Sequence, residues 1–352
     1  MILPTTFMSA LWLLIASAVC LGSWANLQKL AGKWRFELFY YDFIWGVVIA
    51  ALVGAFTFGS FDPKDLTFQD NFLLAGYRKM AWALAAGVVF NLANVLLAAA
   101  VAVAGMSVAF PVSLGLGLIV AEVWTYSFSS PISPVLLFSG AGVVLAAVCA
   151  AGLAHSFRLD EKQAAEQQAL TADPRTKNAP KKARAAKGVI LSVLSGLFMG
   201  VFYPMVQEAR SGEIGVAPYG LMLLFAAGMF LSTVGYVPFF LTFPVLGKPL
   251  VATAYFRGTA RQHVMGILGG VVWMVGGLAN AVVAGAPAAT QITPALSYLS
   301  AQAAAPVAVF WGLAAWHEFS GTSLRVKMVL TAMVVLFLAG LGLIGLALFQ
   351  AR

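Results

Sequence analysis

Met328 to Phe349 reads MVLTAMVVLFLAGLGLIGLALF, 22 residues without a charge. A helix needs roughly 20 apolar residues to cross the hydrocarbon core of a bilayer, so this stretch predicts a transmembrane helix. Val135 to Leu153 is equally free of charge. Working outward, eight further windows qualify, giving spans at 6–26, 38–59, 80–102, 106–127, 133–154, 188–207, 217–242, 263–284, 290–315 and 327–349. The whole chain agrees: 61% of its residues are hydrophobic and 10% charged. A soluble domain carries about 25% charge and would expose large adhesive patches at this composition. The expected fold is therefore an all-α polytopic membrane protein. The first window lacks a basic n-region, since Met1 to Thr6 holds no Lys or Arg, and its apolar run is long for a signal peptide; it is expected to be retained as a span.

The net charge of +8 does not point to nucleic acid, because it is concentrated in a few loops. With loops numbered by the span they follow, the odd ones hold Lys29, Lys33, Arg35, the basic residues from Arg158 to Lys187, Lys248, Arg257, Arg261, Arg325 and Lys327. The even loops and the termini hold Lys64, Arg78, Lys79, Arg210 and Arg352. The positive-inside rule then places the odd loops in the cytoplasm and both termini outside, in a plasma or inner membrane. Residues 155–187, HSFRLDEKQAAEQQALTADPRTKNAPKKARAAK, form the one polar linker, whose second part reads as a basic tether beside the membrane. Cys20 and Cys149 lie in apolar runs away from any His pair, so neither a disulfide framework nor a zinc site is indicated, and no cofactor or metal is expected.

The linker divides the chain into 1–154 and 188–352, with five spans each. Gly87-Val88-Val89-Phe90 aligns with Gly270-Val271-Val272-Trp273, the same spacing puts Pro111 on Pro294, and Ser17-x4-Gly22 aligns with Ser195-x4-Gly200. Five is odd, so the second half must enter from the opposite side. That predicts two inverted five-helix repeats with a solute site between them.

Several stretches carry a resemblance. They are GSWANLQKLAGKWRFELFYYDF (Gly22 to Phe43), FNLANVLLAAAVAVAGMSVAFPV (Phe90 to Val112), PVLGKP (Pro244 to Pro249), GGVVWMVGGLANAV (Gly269 to Val282), and Gln302 nine residues before Trp311 in AVFWGLAAWHEF. The chain resembles the ureide permeases and the bacterial glucose/ribose porters of the drug/metabolite transporter superfamily, apart from 155–187. FWG followed by Glu318-Phe319 is the most specific element. The resemblance implies ten helices in two inverted repeats and proton-coupled movement of small polar metabolites such as ureides, nucleobases or sugars. The chain departs from the family pattern in two places. Pro306 follows Gln302 by four residues instead of three, and the linker has no G-x4-GK[ST] phosphate-binding pattern.

Polar side chains inside a span are costly unless they face protein or a wet cavity. Gln302 and Tyr298 share a face of the ninth span, as Asn91 and Asn94 do of the third and Trp273 and Asn280 of the eighth. Carboxamides offer donors and an acceptor to a small polar substrate, and Trp273 could stack on a flat ring. Pro111 and Pro294 are expected to break their helices. Asp42 and Glu122 are the candidate proton carriers, because a carboxyl taken out of water can exchange protons near neutral pH. Glu318 lies near a loop and reads as surface. His155, His263 and His317 lie near helix ends and do not resemble a buried proton relay. Trp24 reads as an interfacial belt residue.

No Ser/His/Asp set, HExxH or DxD-like pair falls within a span, which argues against an enzyme. The expected partners are a small-molecule substrate, protons and the lipid bilayer, with a homodimer possible and nucleic acid excluded. The alternative reading is a drug or metabolite exporter of the same superfamily. The absence of any acid from Met1 to Gln28 disfavours the cation/proton exchange of the small multidrug exporters.

Overall fold

The structure is a computed structural model that describes residues 1–61, 66–128, 133–172, 183–212 and 214–351. Residues 173–182 of the linker, Lys64 and Arg352 lie outside these, and so do the orientation arguments drawn from them.

Twelve α-helices follow one another, and no strand is present among the described residues. They are α1 (Phe7–Leu30), α2 (Phe36–Phe56), α3 (Phe68–Leu74), α4 (Tyr77–Ala104), α5 (Met106–Phe128), α6 (Pro134–Ala172), α7 (Ala183–Arg210), α8 (Pro218–Thr242), α9 (Ala260–Ala284), α10 (Pro294–Ala301), α11 (Ala304–Ala314) and α12 (Leu324–Gln350). Ten spans are long and apolar enough to cross a membrane, with α10 and α11 together making the ninth. The fold class expected from composition is thus met. The short α3 is an addition that hydropathy did not foresee; Thr67 and Asp70 close a capping box at its start. Large apolar side chains such as Trp12, Val234, Phe239 and Met328 point outward, as lipid permits.

Polar contacts tie the bundle together at its two ends. At one end, Arg35 donates to the Lys248 carbonyl at 2.5 Å and Lys187 to the Val245 carbonyl at 2.5 Å. At the other, Lys79 meets Glu208 at 2.8 Å and the Asn71 side chain bridges Gly215 and Ala217. The first is called the basic end below.

Within the bundle, α9 packs on α1 and α2, and α4 on α7 and α8. In addition, α5 packs on α7, α11 on α1 and α5, and α6 on α12. Backbones approach closely where glycine removes the side chain. A Cβ on Gly46 would strike the Ile267 carbonyl, and one on Gly270 the Phe43 carbonyl, at the α2–α9 contact. A Cβ on Gly228 would strike the Leu84 carbonyl, and one on Gly87 the Phe225 carbonyl, at the α4–α8 contact. Ser17 donates to the Gly276 carbonyl at 2.8 Å, and Ser195 to the Ala93 carbonyl at 2.8 Å.

Neither Pro111 nor Pro294 breaks a helix. Pro111 sits inside a continuous α5, well after the real interruption at Gly105, whose φ of +89° suits glycine. Pro294 is the first residue of α10 behind the Thr293 cap, where a missing N–H costs nothing. The ninth span breaks instead at Gln302 and Ala303. Pro306 explains this: its ring excludes the carbonyl four residues earlier, that of Gln302, from the α-helical ladder. That carbonyl accepts from Ala305 at 3.0 Å instead.

Candidate functional site

The break at Gln302 lies on the wall of a buried cavity of about 140 Å³. Helices α1, α4, α5, α7, α8, α9, α10 and α11 all reach it. Its wall is mainly apolar and includes eight aromatic residues. Trp273 faces Phe90 at 5.1 Å between ring centres and Phe225 at 6.4 Å in a stacked arrangement. Tyr298 stacks on Tyr203 at 3.8 Å, and its hydroxyl donates to the Gly117 carbonyl at 3.4 Å. An apolar cavity of about 150 Å³ accommodates one benzene, so this one is the size of a single small ring.

Five of the six expected solute residues line this space: Gln302, Tyr298, Asn94, Trp273 and Asn280. Two of them are partly committed to the fold. Asn280 donates to the Ser297 carbonyl at 2.7 Å, and Gln302 donates to the Tyr298 carbonyl at 3.3 Å. Asn94 differs. Its amide donates to the Tyr40 hydroxyl at 3.0 Å, while its carbonyl oxygen is buried with no partner among the described residues. A buried acceptor left empty is costly, and a solute N–H would satisfy it.

Asn91 does not belong to the site. Its carbonyl accepts from Tyr40 at 2.9 Å, and its amide donates to Met229, Ser232 and Thr233 within 2.9 Å. With its amide fully used and its carbonyl held by Tyr40, it fastens α4 to α2 and α8. One residue closer to the site was mistaken for a belt residue: Trp24 is 1% exposed and lines the cavity. Its position near a helix end gave no signal, because α1 continues to Leu30.

The acids stand apart from the cavity wall. Asp42 is buried near the basic end, where it accepts from the Tyr255 hydroxyl at 2.5 Å and pairs with His263 Nδ1 at 2.9 Å. Burial and then the Asp42 carboxylate push the Tyr255 phenol up, so it remains a donor. His263, set aside as a helix-end residue, is thus the partner of the leading acid. The pairing joins α2 to α9 across the fold and leaves no trace in local sequence. Glu122 is 1% exposed, and one of its oxygens has no partner among the described residues.

Glu318 is not a surface residue. It is 8% exposed, accepts from the backbone N–H of Met106 at 2.8 Å and Ser107 at 2.9 Å, and pairs with Lys29. It therefore caps α5 at the interruption after α4, where the helix dipole favours an anion. The neighbouring tryptophans bind α1: Trp311 donates to Ser23 at 2.8 Å and Trp316 to Asn26 at 2.6 Å. The AVFWGLAAWHEF motif is thus a clamp between α11, α1 and α5. Burial raises the Glu318 carboxyl, but the Lys29 ammonium and the two N–H groups outweigh it, and the group titrates below its ordinary value. A depressed folded value means stability that is present above about pH 4.3 and lost as pH falls through the folded value. Glu318→Gln should therefore lower the melting temperature at pH 7, at a cost of about 3 kcal/mol. The gap to the parent should begin to narrow below about pH 4.3 and close only once pH falls below the folded value, and a thermal melt series in detergent across pH checks this.

Ten spans among the described residues, around a mainly apolar cavity, make this a multi-pass membrane protein, and the proteins it resembles are permeases. Its resemblance is to the ureide permeases. A family model described as Ureide permease matches residues 39–189. Ureide permease 2 of Arabidopsis thaliana is 24% identical over 94% of this chain and 95% of its own length. Ureide permease 1 of the same plant is 23% identical over 94% and 95%, and Ureide permease 4 is 23% identical over 95% and 96%. A solved crystal structure of a protein superposes at a TM-score of 0.52 with 14% identity, covering 98% of each chain, a likeness of fold alone.

Proposed function

We propose that this chain carries a small, neutral, ring-shaped solute with a ureide or nucleobase edge by alternating access, coupled to protons. The observation that carries the reading is the one-ring cavity, lined by aromatic side chains and by Asn94, whose buried carbonyl oxygen has no partner among the described residues. A flat heterocycle can stack on Trp273 while its N–H reaches Asn94. A sugar would bring many hydroxyls to a wall with few partners, which argues against the glucose and ribose reading. The names of the relatives agree with a ureide.

Two inverted halves, 1–154 and 188–352, suit this mechanism, and the packing supports them. Exchanging α1 with α7, α2 with α8, α4 with α9, α5 with the α10–α11 pair and α6 with α12 maps the principal helix contacts onto themselves. The exchange also turns Gly46 against Ile267 into Gly228 against Leu84, and Ser17 to Gly276 into Ser195 to Ala93. Gly22 sits against Val307 as Gly200 does against Val120. That register is one helical turn away from the one that aligns Pro111 with Pro294. In this reading the basic end faces the cytoplasm and the termini lie outside a plasma or inner membrane.

Asp42 is the proton carrier in this scheme. Protonating it would weaken its pairing with His263 and loosen α2 from α9, which lie in different halves. With one proton per solute, a one-unit pH gradient sustains about tenfold accumulation. Proteoliposomes given labelled allantoin, uracil, glucose and ribose, with and without an inward proton gradient, test the proposal. Accumulation of allantoin or uracil that collapses with the gradient is expected; uptake of none of the four overturns the proposal. Asp42→Asn should equilibrate the solute without accumulating it. If that variant still concentrates solute and Glu122→Gln does not, the role belongs to Glu122.

A further inference from the structure

A second cleft lies between the central cavity and the basic end. Trp24 of α1 and Leu97 of α4 line the cavity. Four residues further along the same two helices, Gln28 and Val101 line the cleft. Four residues are about 6 Å of helix, so little more than one turn separates the two spaces. That turn is filled by Trp24, whose ring lies 5.0 Å from Phe43 and 6.2 Å from Phe110.

Below this septum two buried polar atoms have no partner among the described residues: the Gln28 carbonyl oxygen and the Trp34 indole nitrogen. Gln28 is 6% exposed, and its amide is fixed by donation to the Ala98 carbonyl at 3.1 Å, which leaves the oxygen for the cleft. Buried polar groups are rarely left empty in folded proteins. The two residues that carry them, Gln28 and Trp34, belong to the wall of the same space of about 440 Å³, beside the charged Lys29, Lys33, Arg35, Glu37, Arg158 and Glu318. The same pair of functions is what an amide or urea edge, N–H beside C=O, requires.

We infer that this cleft is a second solute station on the transport path. Gln28 accepts from the solute N–H there, and Trp24 is the septum that must move for the solute to pass from one station to the other. The identity of the solute rests on the proposed function; the path and its septum do not.

The test uses a full-length parent in which Cys20 and Cys149 are alanine, with Ala102→Cys as a reporter on the cleft wall. A membrane-impermeant cationic methanethiosulfonate is applied to one face of the membrane at a time. The reporter should react from the basic-end face only, and allantoin should slow it by about fivefold, the scale of one hydrogen bond. Gln28→Leu should abolish that protection while leaving the unprotected rate unchanged. Trp24→Ala should raise labelling from the opposite face by at least about tenfold. In a parent that transports allantoin, a reporter that allantoin does not protect, or protection that survives Gln28→Leu, overturns the station. Labelling that stays one-sided in Trp24→Ala overturns the septum. If the parent transports neither allantoin nor uracil, the proposed function fails, and the Trp24→Ala result still decides the path.

Discussion

A Gly46→Leu variant should yield no monodisperse folded protein in detergent, whereas Gly235→Ala should behave as the parent. Both positions are glycines inside spans, and their surroundings decide the difference. At Gly46 the added carbon meets the Ile267 carbonyl and the Val271 backbone nitrogen, and backbone cannot turn aside as a side chain can. At Gly235 nothing lies within 4 Å. Overpacking a well-filled interior costs about 1–3 kcal/mol even where side chains can shift. Forcing two helix backbones apart also loses the contacts along the α2–α9 seam. With native stabilities of about 5–15 kcal/mol, that loss is enough to abolish the fold. Gly270→Leu, on the other side of the same seam, should fail in the same way. Size-exclusion chromatography of matched preparations reads the outcome, and a normal peak for Gly46→Leu would mean that the seam is looser than its geometry indicates.

The largest functional effect is expected at Asn94. Asn94→Leu removes an acceptor on a cavity-lining residue that has no partner among the described residues, while Tyr40 keeps its hydrogen bond to Asn91. The fold should therefore survive. A solute N–H that gave up water to reach Asn94 would then find no acceptor, a loss of about 1–3 kcal/mol. Converted at 1.4 kcal/mol per decade, this is a rise in KM of about 5- to 150-fold for uracil or allantoin. By contrast, Asn91→Ala should unsettle the protein more than it alters the KM of whatever folds, because Asn91 joins three helices and does not reach the cavity. Uptake kinetics measured beside thermal melts separate the two. Equal KM values for parent and Asn94→Leu would remove Asn94 from the site.

The expected residues that line the cavity share a physical property. Gln302, Tyr298, Asn94, Trp273 and Asn280 are polar or amphipathic groups deep inside apolar runs. The cost of that placement in lipid pointed inward without any knowledge of neighbours. Asn91 satisfied the same rule, yet its amide and its carbonyl are already held by partners on α2 and α8. Whether such a group is free or spent depends on residues tens to hundreds of positions away. Glu318 and His263 failed for the complementary reason. Near helix ends a charge is ordinarily cheap, so neither stood out until α5 was seen to begin at Glu318 and α2 to carry Asp42 beside His263.

The prolines show the same division. Their positions are plain in sequence, but Pro294 at the first position of a helix is harmless, Pro111 lies inside a continuous helix, and Pro306 coincides with a break. Locating the break at Gln302 therefore required knowing where α10 begins.

By itself, then, the sequence determined the class, the number of spans and the identity of most polar groups facing inward. Hydrophobicity summed over 20 residues overwhelms local detail, and a buried polar atom is expensive wherever it lies. Only the tertiary structure decided which of those groups keeps an unfilled hydrogen bond, which acid has a partner, and which tryptophan lines the cavity. Each of those depends on contacts a few ångströms long between helices far apart in the chain, and no local pattern encodes them.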